Sequence, residues 1–156
     1  MTDLPTARTL HRKGHWTGQA ETCALDYEGR FLRRRVLVTT SGLSVLVDLP
    51  QTVSLEAGDA LELGDGRRVA ILAAPEALTE VRGDLARLAW HVGNRHTPCE
   101  IHADRLVIRR DKVIAHMLDH LGAELRDVTG PFSPEGGAYG HGRTHAHEHG
   151  HSAHAH

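Results

Sequence analysis

Histidine is the residue on which chemistry turns in this chain. Fourteen of its 156 residues are His, and seven of those fall in the last sixteen positions, HGRTHAHEHGHSAHAH. Neutral imidazole is a ligand for Ni, Cu, Zn and Fe. His141, His145, His147, His149, His151, His154 and His156 are spaced so that two or three rings can gather round one ion. Once the first has bound, tethering raises the effective concentration of the next into the mM range. Ala, Gly, Glu, Ser, Thr and Arg interleave these residues, unlike the contiguous run of a purification tag. Ser, Glu or Lys would serve equally well if solubility were the only need. The pattern therefore selects transition-metal binding without selecting the metal. It also makes charge sensitive to mild acid: the net value is −2 with every imidazole neutral and would reach +12 with all fourteen protonated, and His titrates near pH 6.5.

A second ligand candidate is held differently. In Gly93-Asn94-Arg95-His96, the glycine is expected to end a helix in the left-handed region, which Asn94 also tolerates. Pro98 then holds Thr97 extended. Stiffened on both sides, His96 is a fixed imidazole and a better site residue than one on a mobile loop. In Cys99-Glu100-Ile101-His102, strand alternation puts Cys99 and Ile101 on one face, toward the core, and Glu100 and His102 on the other. His102 is thus a secondary metal candidate. His116 and His120 lie four apart on a helix, a spacing that can chelate. They fall beside or opposite its apolar stripe with no third ligand near, so they read as solvated surface. His91 reads as structural, and His11 and His15 lie near Trp16 in a segment the pattern does not place.

Two kinds of local structure must position these groups. Up to residue 74 the chain reads as β: Arg30–Thr40, Leu43–Leu49 and Arg67–Ala73 are rich in Val, Leu and Ile. Cys23–Tyr27 and Ala60–Leu63 are shorter candidates, with Gly-containing turns between. This predicts a small antiparallel β domain over 1–74, bounded by Ala73-Ala74-Pro75. From Leu78 the order is strand, helix, strand, strand, helix, strand. Leu85, Leu88, Ala89 and Val92 form one helical face behind Asp84 as N-cap. Val113, Ile114, Met117, Leu118 and Leu121 form another between Asp111 and Gly122. Strands are expected at Leu78–Arg82, Cys99–Ala103, Leu106–Arg109 and Glu124–Thr129. That βαββαβ order is the ferredoxin-like motif, assigned to 75–134. PFSPEGGAYG is a Pro/Gly-rich exit. The residues after it contain no Leu, Ile, Val, Met or aromatic side chain, and 135–156 is expected to be a disordered His-rich tail. The class is α+β.

Composition removes several functions. Six aromatic residues and a slightly negative charge do not suit a nucleic-acid binder. No apolar run approaches the ~20 residues of a membrane span. The N-terminus lacks the apolar core of a secretory signal, and two cysteines, Cys23 and Cys99, fit a reduced cytoplasmic protein better than a disulfide framework. No G-x-S-x-G, H-E-x-x-H or P-loop pattern occurs, so no enzyme is expected. Arg33-Arg34-Arg35 reads as an edge strand guarded by cations, or as a docking patch for an acidic partner.

The run Trp90-His91-Val92-Gly93-Asn94-Arg95-His96 with Pro98 resembles the GNRH signature of the urease accessory protein UreE family, and PFSPEGGAYG with a His-rich tail resembles that family's C-terminal end. The resemblance covers essentially the whole chain. It implies a nickel metallochaperone that delivers Ni²⁺ to apo-urease. It further implies an N-terminal peptide-binding-like domain and a ferredoxin-like domain that dimerises. The histidine matching His96 would then meet its copy at one ion near the two-fold axis, with tail histidines completing the coordination. Implied partners are the urease accessory GTPase and the urease apoprotein complex. Some members carry histidines where this chain has Arg110 and Lys112, which shifts weight onto His96 and the tail. Zn²⁺ or Cu²⁺ would bind the same imidazoles. The alternatives are a general His-rich Ni, Zn or Cu buffer or store, and a metal-dependent hydrolase, for which no general base is evident.

Overall fold

A computed structural model describes residues 3–137 of the chain. It divides at Ala74/Pro75 into two units. The seven tail histidines lie outside the described residues.

The first unit is built on β1 (Thr6–His11), β2 (Glu21–Leu25), β3 (Phe31–Val38), β4 (Ser44–Ser54), β5 (Ala60–Leu63) and β6 (Arg68–Ala73), with a single 3₁₀ turn at Glu28–Arg30. Alternation works where one face is buried: Val45, Val47 and Leu49 of β4 point into a core shared with Ala7, Cys23, Leu37, Leu61, Leu63, Val69 and Ile71. The strand order is β2-β6-β5-β1-β4-β3. An all-antiparallel sheet is not what forms, because β1 runs parallel to β4 and β2 parallel to β6. The first of these pairings uses a strand the sequence does not reveal. Thr6–His11 carries only Ala7 and Leu10 as apolar residues, so no strand is legible there, yet β1 inserts between β4 and β5 at the middle of the sheet. Strand β4 also runs past the expected stop at Pro50. The β3–β4 register breaks between Leu32/Val53 and Arg34/Asp48, and the irregularity accommodates a residue with no N–H to donate.

The segment that precedes β2 is anchored on Asp59, whose side chain is buried. Its carboxylate accepts from Arg12 Nη1 (2.9 Å), Lys13 N–H (2.9 Å) and Glu56 N–H (2.8 Å). Trp16 Nε1 donates to Gly58 O at 2.9 Å. Strand β3 closes one end of the order, and its Arg33 and Arg35 donate to the carbonyls of Leu49 and Gly29.

The second unit runs β7 (Glu76–Arg82), α1 (Leu85–Asn94), β8 (Glu100–Ile101), β9 (Leu106–Arg109), α2 (Lys112–His120) and β10 (Glu124–Gly130). Its four strands are antiparallel in the order β10-β7-β9-β8. Val81, Leu106 and Ile108 of the sheet share one core with Leu88 and Val92 of α1 and Ile114 and Leu118 of α2, so both helices cover the same face. Two expectations fail locally. Val113, assigned to the apolar stripe of α2, is 66% exposed, while Ile114 in the same turn is buried and carries the contact with the core. The strand at Cys99–Ala103 shrinks to two residues; Ile101 is 52% exposed while Cys99 packs on the core.

Candidate metal centre

The geometry of His96 follows from how α1 ends. Asp84 starts the helix, its carboxylate accepting from Arg87 N–H, and the Leu85/Leu88/Ala89/Val92 face buries it. At the other end Arg95 N–H reaches the carbonyls of His91 and Val92, His96 N–H donates to Gly93 O at 2.9 Å, and Thr97 N–H reaches back to Val92 O at 3.2 Å. This is the Schellman pattern, which needs a left-handed residue one place after the cap. That residue is His96, with φ 56°; among the described residues it is the one non-glycine with positive φ. The expectation that Gly93 would hold this place is therefore corrected: Gly93 stays in the helix, which runs to Asn94. Helix α2 closes with the same bonds, Gly122 N–H to Asp119 O and Ala123 N–H to Leu118 O, but there the left-handed residue is a glycine, φ 87°. A histidine stands in α1 where the backbone favours glycine.

His96 is exposed and borders a cleft of about 510 Å³ lined also by Glu76, Ala77, Thr97, Pro98, Arg109, Arg110 and Asp111. Three elements besides its own loop supply these neighbours: the start of β7, the end of β9 and the start of α2. Asp111 was legible in the sequence as a helix cap, and it is one, accepting from Val113 N–H at 2.9 Å and Ile114 N–H at 3.1 Å. Its place beside His96 depends on the β9–α2 corner, which no local signal reveals; the same holds for Glu76 and Arg109. Arg110 is a structural cation. Its Nη2 donates to Val128 O at 2.8 Å and its guanidinium lies 3.6 Å from Asp127, so its positive charge at the cleft is partly offset. Among the described residues no three of His, Cys, Asp and Glu converge on one point. Among the described residues, His96 is the one imidazole lining this cleft.

The other candidates part company with it. His102 Nε2 pairs with Glu100 Oε2 at 2.5 Å, and Glu100 Oε1 accepts from Ser133 N–H at 2.8 Å; among the described residues no third ligand group joins this pair. Burial raises the Cys99 thiol to about 11, so with no metal bound it is protonated at neutral pH. His116, His120 and Lys112 are exposed on α2. His91 meets Trp90 edge-on with ring centroids 5.1 Å apart, and His11 pairs with Glu62 at 2.7 Å. No helix among the described residues is long and apolar enough to cross a membrane.

Comparison with known proteins matches both units. The family described as UreE urease accessory protein, N-terminal domain, covers residues 3–74, and its C-terminal-domain counterpart covers 75–156. Similar chains include the urease accessory protein UreE of Ruegeria pomeroyi, 57% identical over 94% of this chain and 99% of the relative. That of Cereibacter sphaeroides is 58% identical over 96% and 83%, and that of Paracoccus denitrificans 60% identical over 90% of each. With both domains matched and these relatives covered over 83–99% of their length, the chain belongs to the UreE family of urease accessory proteins, which serve an enzyme and are not enzymes themselves.

Proposed function

We propose that this chain is a nickel metallochaperone that delivers Ni²⁺ to apo-urease during assembly of the urease metal centre. It acts in the cytoplasm as a homodimer, with the urease accessory GTPase and the urease apoprotein complex as partners. Its second unit is a ferredoxin-like metal-binding and dimerisation domain, and its first unit is peptide-binding-like. The observation that carries this reading is the exposed His96, fixed in the left-handed position at the mouth of a cleft that offers no complete ligand set. A two-fold axis doubles each ligand, so two copies bring two such imidazoles to one ion. His141, His145, His147, His149, His151, His154 and His156 supply the rest. A site assembled partly from fixed and partly from tethered ligands can release its ion, as a carrier must. Imidazole does not by itself prefer nickel over Cu²⁺, so docking and metal supply set the choice. A general store has no use for a fixed imidazole held at a cost in backbone strain, and this disfavours the buffer reading.

Nickel titration calorimetry with light scattering tests the proposal on the full chain, on His96→Ala, and on a full-length chain with all seven tail histidines changed to Asn. His96→Ala is expected to abolish the tightest equivalent per dimer and leave weaker tail ions in place. The tail variant should keep a single, weakened site. Binding should fall off below about pH 6, since protonated imidazole does not ligate. A chain that stays monomeric at every concentration with Ni²⁺ present, or unchanged first-ion affinity in His96→Ala, would overturn it.

A further inference from the structure

The segment that follows β10 does not simply leave the fold. Gly130 pairs with Glu76 at the β10 edge of the second sheet. Two residues on, Phe132 has no exposed surface. Ser133 N–H then donates to Glu100 Oε1 and Glu135 N–H to Cys99 O, both at 2.8 Å. Glu100 belongs to β8, the opposite edge of the order β10-β7-β9-β8. Residues 131–135 therefore cross the whole sheet. Three strand spacings come to about 14 Å, and five residues reach about 16 Å only when nearly extended. Pro131 and Pro134 supply that stiffness, each fixing its own φ and holding the residue before it extended. The crossing starts at the sheet end that bears the cleft, since Glu76 both pairs with Gly130 and lines the cleft with His96, and it runs diagonally to Glu100, which is level with Val107 and Glu80. It ends beside Cys99, three residues from His96, which is at most about 11 Å between Cα atoms. His141 follows Glu135 by six residues, a covalent reach of about 20 Å.

We infer that residues 131–135 are a strap that roots the His-rich tail at the His96 cleft, with Phe132 and Glu100 as its positioning residues. The inference rests on the metal-binding reading above. His102 has a part in it as the group that holds the second oxygen of Glu100, not as a ligand. Freed at Gly130, the chain would reach its first tail histidine through eleven residues instead of six. Effective concentration falls as about the −3/2 power of linker length, which is a loss of roughly twofold to threefold for each tail imidazole engaged.

The test is nickel calorimetry on Glu100→Ala and Phe132→Ala in two full-length backgrounds, native tail and seven-Asn tail. First-ion affinity is expected to drop about twofold to threefold per engaged tail imidazole in the native background, with no drop in the Asn background, and Phe132→Leu is expected to restore most of the Phe132→Ala loss. If Phe132→Ala fails to fold, Glu100→Ala carries the test alone. No loss with the native tail, or an equal loss in both backgrounds, overturns the strap. Unchanged first-ion affinity in His96→Ala overturns the metal-site reading instead, so the two failures are told apart.

Discussion

An L-residue held in the left-handed region costs about 1–2 kcal/mol, and the two helices of the second unit show the alternatives side by side: Gly122 closes α2, His96 closes α1. The backbone would be better served by glycine at both. His96→Gly should therefore stabilise the protein, by about 0.5–1 kcal/mol after the extra freedom glycine gains in the unfolded chain is subtracted. The same change should remove the tightest nickel equivalent. Denaturant midpoints and nickel titration on one preparation would show both. A stability that falls in His96→Gly would mean that the imidazole holds the fold together, and the argument from strain to ligand would fail. His96→Ala lacks this diagnostic power, since alanine carries the same left-handed penalty.

The cleft is only as well placed as the elements that end at it, and α2 begins there on Asp111. Losing the acceptor for Val113 N–H and Ile114 N–H should cost about 1 kcal/mol in Asp111→Ala and far less in Asp111→Asn. Hydrogen exchange should quicken at those two amides before any other part of α2 responds. Protection left unchanged at Val113 and Ile114 would show that burial of Ile114 and Leu118 alone fixes the first turn. Both helices were readable in the sequence because their information is local: a cap, an apolar stripe and a terminator within a dozen residues. Strand β1 was not, because its place between β4 and β5 is decided by partners 40 to 56 residues away. The end of α1 misled for a different reason. Gly93 in a helix and His96 outside one both run against local preference, and such disagreements are expected where function overrides the backbone. The strap was hidden as well, since Pro-Phe-Ser-Pro reads as an exit until Phe132 is seen to be buried.

At the scale of the whole molecule, the proposed dimer requires that the C-terminal turns of two α1 helices come close enough for two His96 rings to share an ion. Gly93 lies one turn before His96, exposed, and a Cβ built on it would meet nothing within 4 Å in a single chain. Nothing in the monomer requires glycine there, and in a helix it costs about 1 kcal/mol against alanine. Trp90, three residues earlier, is 66% exposed on the side of α1 away from the core stripe, a large apolar surface that a partner would cover. Gly93→Ala separates the two states. The folded monomer should gain about 0.5–1 kcal/mol. The added methyl should at the same time raise the dimer dissociation constant and weaken the first nickel equivalent, because it occupies the space the approaching turn needs. Sedimentation with and without Ni²⁺ reads the association, and thermal melting reads the fold. If Gly93→Ala is more stable and dimerises and binds nickel as the native chain does, the two-fold axis does not pass near the end of α1, and one His96 cannot meet another across it.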